Sequence, residues 1–279
     1  MPSAHNFVYF GTPKVAHDTL AILIKSGFIP TVVVTLPDAQ KGRGLAFKPS
    51  ETKILALAHG IQVLTPSSLD TNVIASISAY KCAYAIVVAY GKIFPEELIA
   101  AFPLGVLNVH YSLLPKYRGA TPLEGALLAG DTETGVTIQK MAKELDAGDI
   151  FAQETIRIAP SETARELRPR LISMGAELLV KTLPAFLSGT VTPIPQDAPH
   201  SSYTRKLKKE YGLLSLTDPG ETNWNKYRAY ADSIGTYFLH KGKRVKIVSA
   251  SFKNQSFIPE MVIPEGRREI DYITFCKVD

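Results

Sequence analysis

Short apolar runs alternate with helical patterns through the first half of the chain, and this alternation restricts the fold more than any other feature. The runs at residues 7–10, 31–36, 83–89 and 105–109 are rich in Val, Ile, Tyr and Phe. The run at 83–89 is apolar on both faces, which is typical of a strand buried inside a sheet. Strands that alternate with helices predict an α/β fold, with a mostly parallel sheet, right-handed crossovers and helices on both faces.

The composition is that of an ordinary globular protein. With 279 residues, of which 46% are hydrophobic and 20% charged, the chain can bury a full core and has room for two domains. Cys82 and Cys276 lie far apart and match no disulfide framework or metal-ligand spacing, so we expect a reducing compartment, the cytoplasm. The N-terminal residues lack a secretory pattern, and no apolar run approaches the about 20 residues of a membrane span, so no membrane partner is expected.

Charge is distributed unevenly along the chain. Residues 1–200 carry 17 basic and 17 acidic residues, whereas residues 201–279 carry 14 basic and 9 acidic ones, so the net charge of +5 belongs to the last part. A neutral body with a basic appendage favours a polyanionic partner, since such charge acts through phosphate contacts. A merely solvated lysine-rich surface explains the charge equally well.

The end of the chain has the pattern of a separate small domain. A proline-rich connector at residues 190–199 is followed by the basic sequence SSYTRKLKKE, and short apolar runs follow at 236–239, 244–250 and 272–275. We predict that these runs are strands of a small β domain. The expected division is a first domain at residues 1–189, a linker at 190–211 and a basic β domain at 212–279.

A polar segment at residues 37–53 interrupts the alternation of strands and helices. It contains Gly42, Arg43 and Gly44 with three lysines nearby, and it is too long and too polar for a simple turn. Its glycine spacing is not that of a P-loop or a dinucleotide-binding turn. We predict a flexible basic arm for an anionic partner, with a solvated surface loop as the alternative.

Asn108 and His110 form the most suggestive polar pair. They lie two positions apart at the end of a predicted strand, so both side chains emerge on one face, at the edge where open α/β sheets bind ligands. Pro115 ends the element. Asp146 follows in a polar loop from which a carboxylate can reach a neighbouring histidine. Taken alone, the pair is more often structural, and Asp146 is more often a turn residue.

In combination, these motifs resemble the formyltransferase superfamily, and most closely its methionyl-tRNA formyltransferase family. The resemblance is carried by motifs in the same order: Phe10-Gly11-Thr12-Pro13, Gly42-Arg43-Gly44, Val88-Ala89-Tyr90-Gly91, Asn108-x-His110-x-Ser112-Leu113-Leu114-Pro115, Arg118-Gly119 and Leu145-Asp146-x-Gly148-Asp149. The resemblance covers residues 7 to about 190 well. It implies a Rossmann-like fold with Asn108, His110 and Asp146 as catalytic residues and no metal.

The resemblance also implies the donor of the transferred group. Members of this family use 10-formyltetrahydrofolate, whose formyl carbon would be attacked by an amine to give a tetrahedral oxyanion. An Asn amide and a protonated His are suitable donors to such an oxyanion, and a carboxylate can orient the His and relay a proton. The residues expected at the folate site are Val88, Tyr90, Gly91, Ile93, Phe94, Ser112, Leu113, Leu114 and Pro115.

The implied acceptor is initiator methionyl-tRNA, bound by a monomer. The segment with the GRG pattern resembles the insertion of the initiator-tRNA enzymes, and the basic linker supplies further cations. Expected tRNA contacts are Lys41, Arg43, Lys48, Lys206 and Lys209. One alternative is a formyltransferase acting on an amino-sugar nucleotide or another small amine, or a formylfolate hydrolase; another is a non-catalytic RNA-binding protein on the same scaffold.

Two departures from the family pattern concern the site and the last domain. Tyr111 stands next to His110, where the family usually has a small residue, and this raises the question of pocket shape. The segment from 244–250 runs almost directly into 257–265, where the family has additional strands. We therefore expect a reduced OB-like barrel at the end of this sequence.

Overall fold

The computed structural model describes residues 6–41, 46–230 and 233–278, without the side chains of residues 41, 46 and 278. The described chain divides into two compact units. The first comprises the residues up to 118 together with 135–155 and 171–202, and the second comprises 119–134, 156–170 and the residues from 203 onward. Over the described ranges, no helix has the length and apolar character needed to cross a membrane.

The elements up to the candidate site follow the predicted alternation. In chain order they are β1 (Phe7–Gly11), α1 (Lys14–Lys25), β2 (Val32–Val34), β3 (Ala39–Lys41), β4 (Ala46–Lys48), α2 (Glu51–Ala58), β5 (Gln62–Leu64), α3 (Thr71–Ser78), β6 (Tyr84–Val88), α4 (Glu96–Ala100) and β7 (Gly105–His110). The next elements are β8 (Arg118–Gly119), α5 (Pro122–Ala129), β9 (Glu133–Lys140), β10 (Ile150–Arg157), α6 (Ala164–Leu187) and β11 (Tyr203–Thr204). The last are α7 (Gly220–Tyr230), β12 (Thr236–His240), β13 (Lys243–Lys253), β14 (Ser256–Pro264), β15 (Ile270–Asp271) and α8 (Tyr272–Val278).

In the described part of the chain, seven strands form the main sheet in the order β10-β9-β7-β6-β1-β2-β5. The pairs β1–β2, β1–β6, β2–β5 and β6–β7 are parallel, whereas β7 and β9 are antiparallel. The prediction of a mostly parallel α/β sheet is confirmed. The strand at 105–109 lies beside the strand at 83–89, as expected, since Tyr84 pairs with Gly105 and Val87 with Asn108.

Helix α1 shows how the periodicity places helices on the sheet. Its buried residues Ala16, Thr19, Leu20 and Leu23 follow the i, i+3, i+4, i+7 spacing of one helical face. The helix ends at Lys25, and after the cap residue Ser26 the chain turns at Gly27, whose φ of 87° suits a residue without Cβ. The N–H of the next residue, Phe28, donates to the Leu23 carbonyl and closes the turn.

Aromatic packing fixes the turn that follows β6. The Phe10 ring packs edge-on against Phe94 at a centroid distance of 4.8 Å and against Tyr90 at 5.4 Å. Both partners are buried in the same core cluster. Edge-to-face pairs of this kind contribute about 1 kcal/mol beyond the area they bury, so the end of β6 has a rigid support.

The described parts of the segment at 37–53 form regular secondary structure. Strands β3 and β4 pair antiparallel, with Ala39 opposite Lys48, and α2 begins at Glu51. At the base of this hairpin, Lys53 Nζ lies 2.9 Å from both carboxylate oxygens of Asp38. The prediction of a loop is therefore wrong for these residues, because their backbones pair in a short antiparallel ladder. Gly42, Arg43 and Gly44 lie outside the described residues.

In the second unit, strands β12 to β15 form an antiparallel sheet in chain order. Its core contains Leu214, Phe238, Val245, Ile247, Val262 and Phe275. The predicted strand at 272–275 is wrong, because these residues begin helix α8. Asp271 caps that helix by accepting a hydrogen bond from the Thr274 N–H at 3.0 Å. Tyr272 and Phe275 are one helical turn apart, and both rings contact Phe238.

Candidate active site

The end of β7 presents Asn108 and His110 on the face that the strand periodicity predicts. The antiparallel neighbour β9 pairs Gln139 with Asn108 and Thr137 with His110. After β9 the chain passes through the polar loop at 141–149 and returns, so that the Lys140 N–H donates to the Asp149 carbonyl at 2.8 Å. This return brings the loop back over the end of β7.

The structure brings Asn108, His110 and Asp146 together. Asn108 Nδ2 donates to Asp146 Oδ1 at 3.4 Å, and His110 Nδ1 lies 3.6 Å from Asp146 Oδ2. Both distances are longer than that of an ordinary hydrogen bond. Asp146 has a φ of 50°, a left-handed conformation that aspartate tolerates better than most residues.

A backbone carbonyl orients the His110 ring. His110 Nε2 lies 3.0 Å from the Tyr117 carbonyl oxygen, and because this oxygen can only accept, Nε2 carries the hydrogen and donates. The other nitrogen, Nδ1, is therefore the one that faces Asp146. Burial lowers the pKa of His110 below its ordinary value, and the Asp146 carboxylate and the Tyr117 carbonyl oppose this effect.

The lowered pKa of His110 predicts a loss of stability in acid. The unfolded chain binds a proton at this residue more readily than the folded chain, so the free energy of unfolding should fall as the pH drops from 7 to 5. We expect His110→Gln to reduce this fall, as measured by urea unfolding at both pH values. An identical pH dependence in His110→Gln and wild type would contradict the prediction.

Further side chains that the sequence did not single out hold the Asp146 loop. Gln139 Nε2 donates to Asp146 Oδ1 at 2.9 Å, and Gln196 Nε2 donates to the carbonyls of Asp146 and Gly148 at 2.8 and 2.7 Å. The contact of Gln139 with Asp146 follows from the antiparallel register of β9 and β7, which the sequence does not reveal. Gln196 lies in the proline-rich connector at residues 190–199, and no pattern in the sequence indicates its contact with the Asp146 loop.

The residues expected at the folate site differ in solvent exposure. Val88, Tyr90, Phe94, Ser112 and Leu114 are buried, Leu113 and Pro115 are half-buried, whereas Gly91 is exposed and Ile93 is 90% exposed. Thr137 supports the second segment, because its Oγ1 donates to the Ser112 carbonyl at 2.7 Å and accepts from the Leu114 N–H at 3.2 Å. The buried members can shape a site, while Gly91, Ile93 and the backbone can contact a ligand.

Tyr111 lies on the face of the sheet opposite His110. A Cβ built at Gly175 of α6 would lie 3.2 Å from Tyr111 Cε1 and 3.1 Å from Val109 Cγ1. The Tyr111 ring therefore packs against helix α6 at Gly175, which has no side chain to displace it. A small residue in the helix accommodates the large residue that departs from the family pattern.

The expected tRNA contacts are only partly described. Lys48 is exposed on β4 next to Phe47, which is 72% exposed. Arg43 and the side chain of Lys41 lie outside the described residues. In the second unit, Lys206 and Lys209 are exposed. Among the side chains that the structure describes, no group of three or more His, Cys, Asp or Glu residues is arranged to bind a metal ion.

Comparison with known families covers both units. The Formyl transferase family model matches residues 5–183, and the model of the formyl transferase C-terminal domain matches residues 206–267. A methionyl-tRNA formyltransferase of Synechococcus sp. (strain JA-2-3B'a(2-13)) is 43% identical over 264 residues, which are 93% of this chain and 81% of the relative. One of Chloroflexus aurantiacus (strain ATCC 29366 / DSM 635 / J-10-fl) is 38% identical over 88% of this chain and 79% of its own length.

Solved structures share the fold at low sequence identity. An N-formyltransferase from Helicobacter canadensis, in complex with folinic acid and dTDP-3-aminofucose, superposes with a TM-score of 0.69 at 18% identity, over 97% of this chain and 99% of that one. A methionyl-tRNA formyltransferase from Clostridium thermocellum has a TM-score of 0.62 at 15% identity, over 93% and 97% of the two chains.

Proposed function

The chain belongs to the methionyl-tRNA formyltransferase family, and from this premise we propose that it transfers a formyl group from 10-formyltetrahydrofolate to the α-amino group of methionyl-initiator tRNA. The observation that carries the proposal is the meeting of Asn108, His110 and Asp146 at one strand end, in a chain that is 43% identical to a methionyl-tRNA formyltransferase over most of its length. We further propose that the enzyme acts as a monomer in the cytoplasm.

The proposed reaction is an attack of the amine nitrogen on the formyl carbon. A new C–N bond forms, the carbonyl oxygen takes up the negative charge of a tetrahedral intermediate, and the bond to N10 of the folate then breaks. The amine loses a proton and the leaving nitrogen gains one. Asp146 is the group that would move this proton, because its carboxylate is close to His110 and only partly shielded, with 12% of its side chain exposed.

Asn108 and His110 would stabilise the oxyanion. The Asn108 amide has two hydrogens, so one can contact Asp146 while the other donates to the oxyanion. His110 can donate from Nδ1 when protonated, because Nε2 donates to the Tyr117 carbonyl. Burial disfavours the imidazolium in the free enzyme, and the oxyanion would offset this cost in the transition state. Such differential stabilisation lowers the barrier to the reaction.

For the co-substrate we propose the turn after β6 and the segment at 112–115. Gly91 is exposed, so its backbone can be reached by a ligand, and the nearby Ile93 offers apolar contact. A slot with few polar groups suits a pterin ring. The fold is shared with a Helicobacter canadensis enzyme solved with folinic acid, a folate derivative. The full set proposed comprises Val88, Tyr90, Gly91, Ile93, Phe94, Ser112, Leu113, Leu114 and Pro115.

For the acceptor we propose that the basic arm and the basic linker bind the tRNA. Lys48 and Phe47 are both exposed, and because they are consecutive residues of β4 they offer a cation and an aromatic ring on opposite faces of the hairpin. A cation suits phosphate contact and an aromatic ring suits base contact. Lys41, Arg43, Lys206 and Lys209 complete the proposed set. In domain terms, residues 1–189 would carry catalysis, 190–211 would link, and 212–279 would add basic surface.

Comparing formyl acceptors tests the proposed function. The protein and 10-formyltetrahydrofolate are incubated with charged initiator tRNA, charged elongator tRNA or an amino-sugar nucleotide, and formyl transfer is followed. We expect formylation of the charged initiator tRNA, with a rate that falls as salt rises, because phosphate contacts release counterions. In the same assay, Arg43→Ala should slow the reaction and weaken its salt dependence. Formylation of the sugar alone, or release of formate without transfer, would overturn the proposal.

A further inference from the structure

The Asp146 carboxylate is fixed by a buried glutamine outside the three proposed catalytic residues. Gln139 is 1% exposed, and its Nε2 donates to Asp146 Oδ1 at 2.9 Å. This is the shortest of the three side-chain contacts described for the carboxylate, since those to Asn108 and His110 are 3.4 and 3.6 Å. A hydrogen bond to an ionised acceptor is stronger than one between neutral groups. With Oδ1 held in this way, Oδ2 is left to face His110.

The backbone of the same loop is held by a second glutamine. Gln196 Nε2 donates to the Asp146 and Gly148 carbonyls, while its Oε1 accepts from Arg118 Nε at 3.0 Å and Arg118 Nη2 at 2.7 Å. Arg118 is itself buried, with 4% of its surface exposed. The amide thus has a fixed orientation, because only its oxygen can face the guanidinium and only its nitrogen can face the carbonyls.

These contacts matter because the loop adopts an unfavourable conformation at its functional residue. Asp146 has a φ of 50°, in the left-handed region that a residue with a Cβ adopts only at a cost in energy. Surrounding contacts must supply that energy, or the loop relaxes and the carboxylate turns away. Misplacement of a catalytic group by about 1 Å can cost about 10²-fold in rate.

We propose that Gln139 and Gln196 are positioning residues for Asp146, Gln139 by aiming its carboxylate at His110 and Gln196 by holding its backbone, with Arg118 fixing Gln196. The inference rests on the proposed formyl transfer and deepens it. Neither glutamine needs to touch a substrate. Their removal should therefore change turnover and leave substrate binding intact.

Three substitutions distinguish a role of the two glutamines in positioning Asp146 from a general effect on protein stability. Gln139→Met keeps the volume and removes the donor, Gln139→Glu replaces the donor with an acceptor facing a carboxylate, and Gln196→Glu keeps the contact with Arg118 but loses the donors to the loop. Gln62→Met is the matched control, because Gln62 lies on the edge strand β5 at the opposite end of the sheet order. For each variant, kcat, KM for both substrates and Tm are measured.

We expect kcat to fall about 10-fold in Gln139→Met and about 10²-fold in Gln139→Glu and Gln196→Glu, with both KM values within about twofold of wild type. Gln62→Met removes the acceptor of the Tyr80 hydroxyl, at 2.6 Å, and should match wild type in kcat and both KM values. A wild-type kcat in Gln139→Glu, or a loss of kcat that only follows a loss of Tm, would refute the positioning role. If the wild-type protein formylates no charged tRNA, the proposed function fails instead, so the two failures are distinguishable.

Discussion

His110→Ala is expected to lower kcat for formyl transfer by about 10³-fold, because removal of an oxyanion donor typically costs about 10²–10³ in turnover and Asp146 also loses the imidazole that it faces. The affinity for the folate co-substrate should stay within about twofold of wild type, since the ring is 5% exposed and faces Asp146 and Tyr117. Rates are measured by single turnover and affinity by fluorescence titration with the folate.

Asp146→Asn provides the matched variant for this prediction. It keeps the shape of the side chain, so it avoids the cavity that alanine leaves in place of a buried imidazole. It also removes the negative charge that favours a protonated His110. The carboxylate proposed to move the proton is lost with it. A loss of kcat of about 10²–10⁴ is expected, the range for general acid–base catalysis. Wild-type rates in both variants would remove Asp146 and His110 from the mechanism.

Gly148→Ala is expected to reduce both activity and stability, because there is no room for a Cβ at this position. A Cβ at residue 148 would lie 1.6 Å from the Lys140 carbonyl oxygen, so the loop would have to move away from β9. We expect a loss of about 3 kcal/mol in the free energy of unfolding, as for strong overpacking. The displacement of Asp146 should lower kcat by about 10²-fold.

Gly189→Ala is the control for the loop glycine. A Cβ there meets nothing within 4 Å, although a φ of 68° makes the substitution mildly unfavourable. It should cost about 1 kcal/mol of stability and leave kcat unchanged, as measured by urea unfolding and the formylation assay. Equal losses in Gly148→Ala and Gly189→Ala would show that steric contact with the Lys140 carbonyl does not explain the effect.

The side-chain positions that follow from the alternation of residues along a strand could be predicted from the sequence. Asn108 and His110 share a face because a strand alternates, and β7 lies beside β6 because strands with helical connections pair in parallel. Asp146 could be associated with them only through the family resemblance, since its position depends on a loop with a positive φ. Gln139 could not be found, because its approach depends on the register of an antiparallel neighbour.

The errors in the second unit have a different physical origin. Helix α7 was not predicted, because its buried positions include Asn223, Asn225 and Arg228, which look like an exposed face in the sequence. Their burial is compensated by partners, since Asn223 Nδ2 donates to the Ser215 carbonyl and Arg228 Nη2 donates to Asn225 Oδ1. The run at 272–275 is short and aromatic, which favours a strand in the sequence. Periodicity does not distinguish a strand from a helix in so short a run.

Single-turnover transfer of a labelled formyl group tests the central claim most directly. Wild-type protein and Asp146→Asn are each loaded with labelled 10-formyltetrahydrofolate and mixed with charged initiator tRNA, and the label is followed on the methionine amine. Wild type should transfer the label to the charged initiator tRNA, and Asp146→Asn should bind the folate but transfer the label about 10²–10⁴-fold more slowly. Label that appears only as formate or on an amino sugar, or equal transfer by both proteins, would contradict the account.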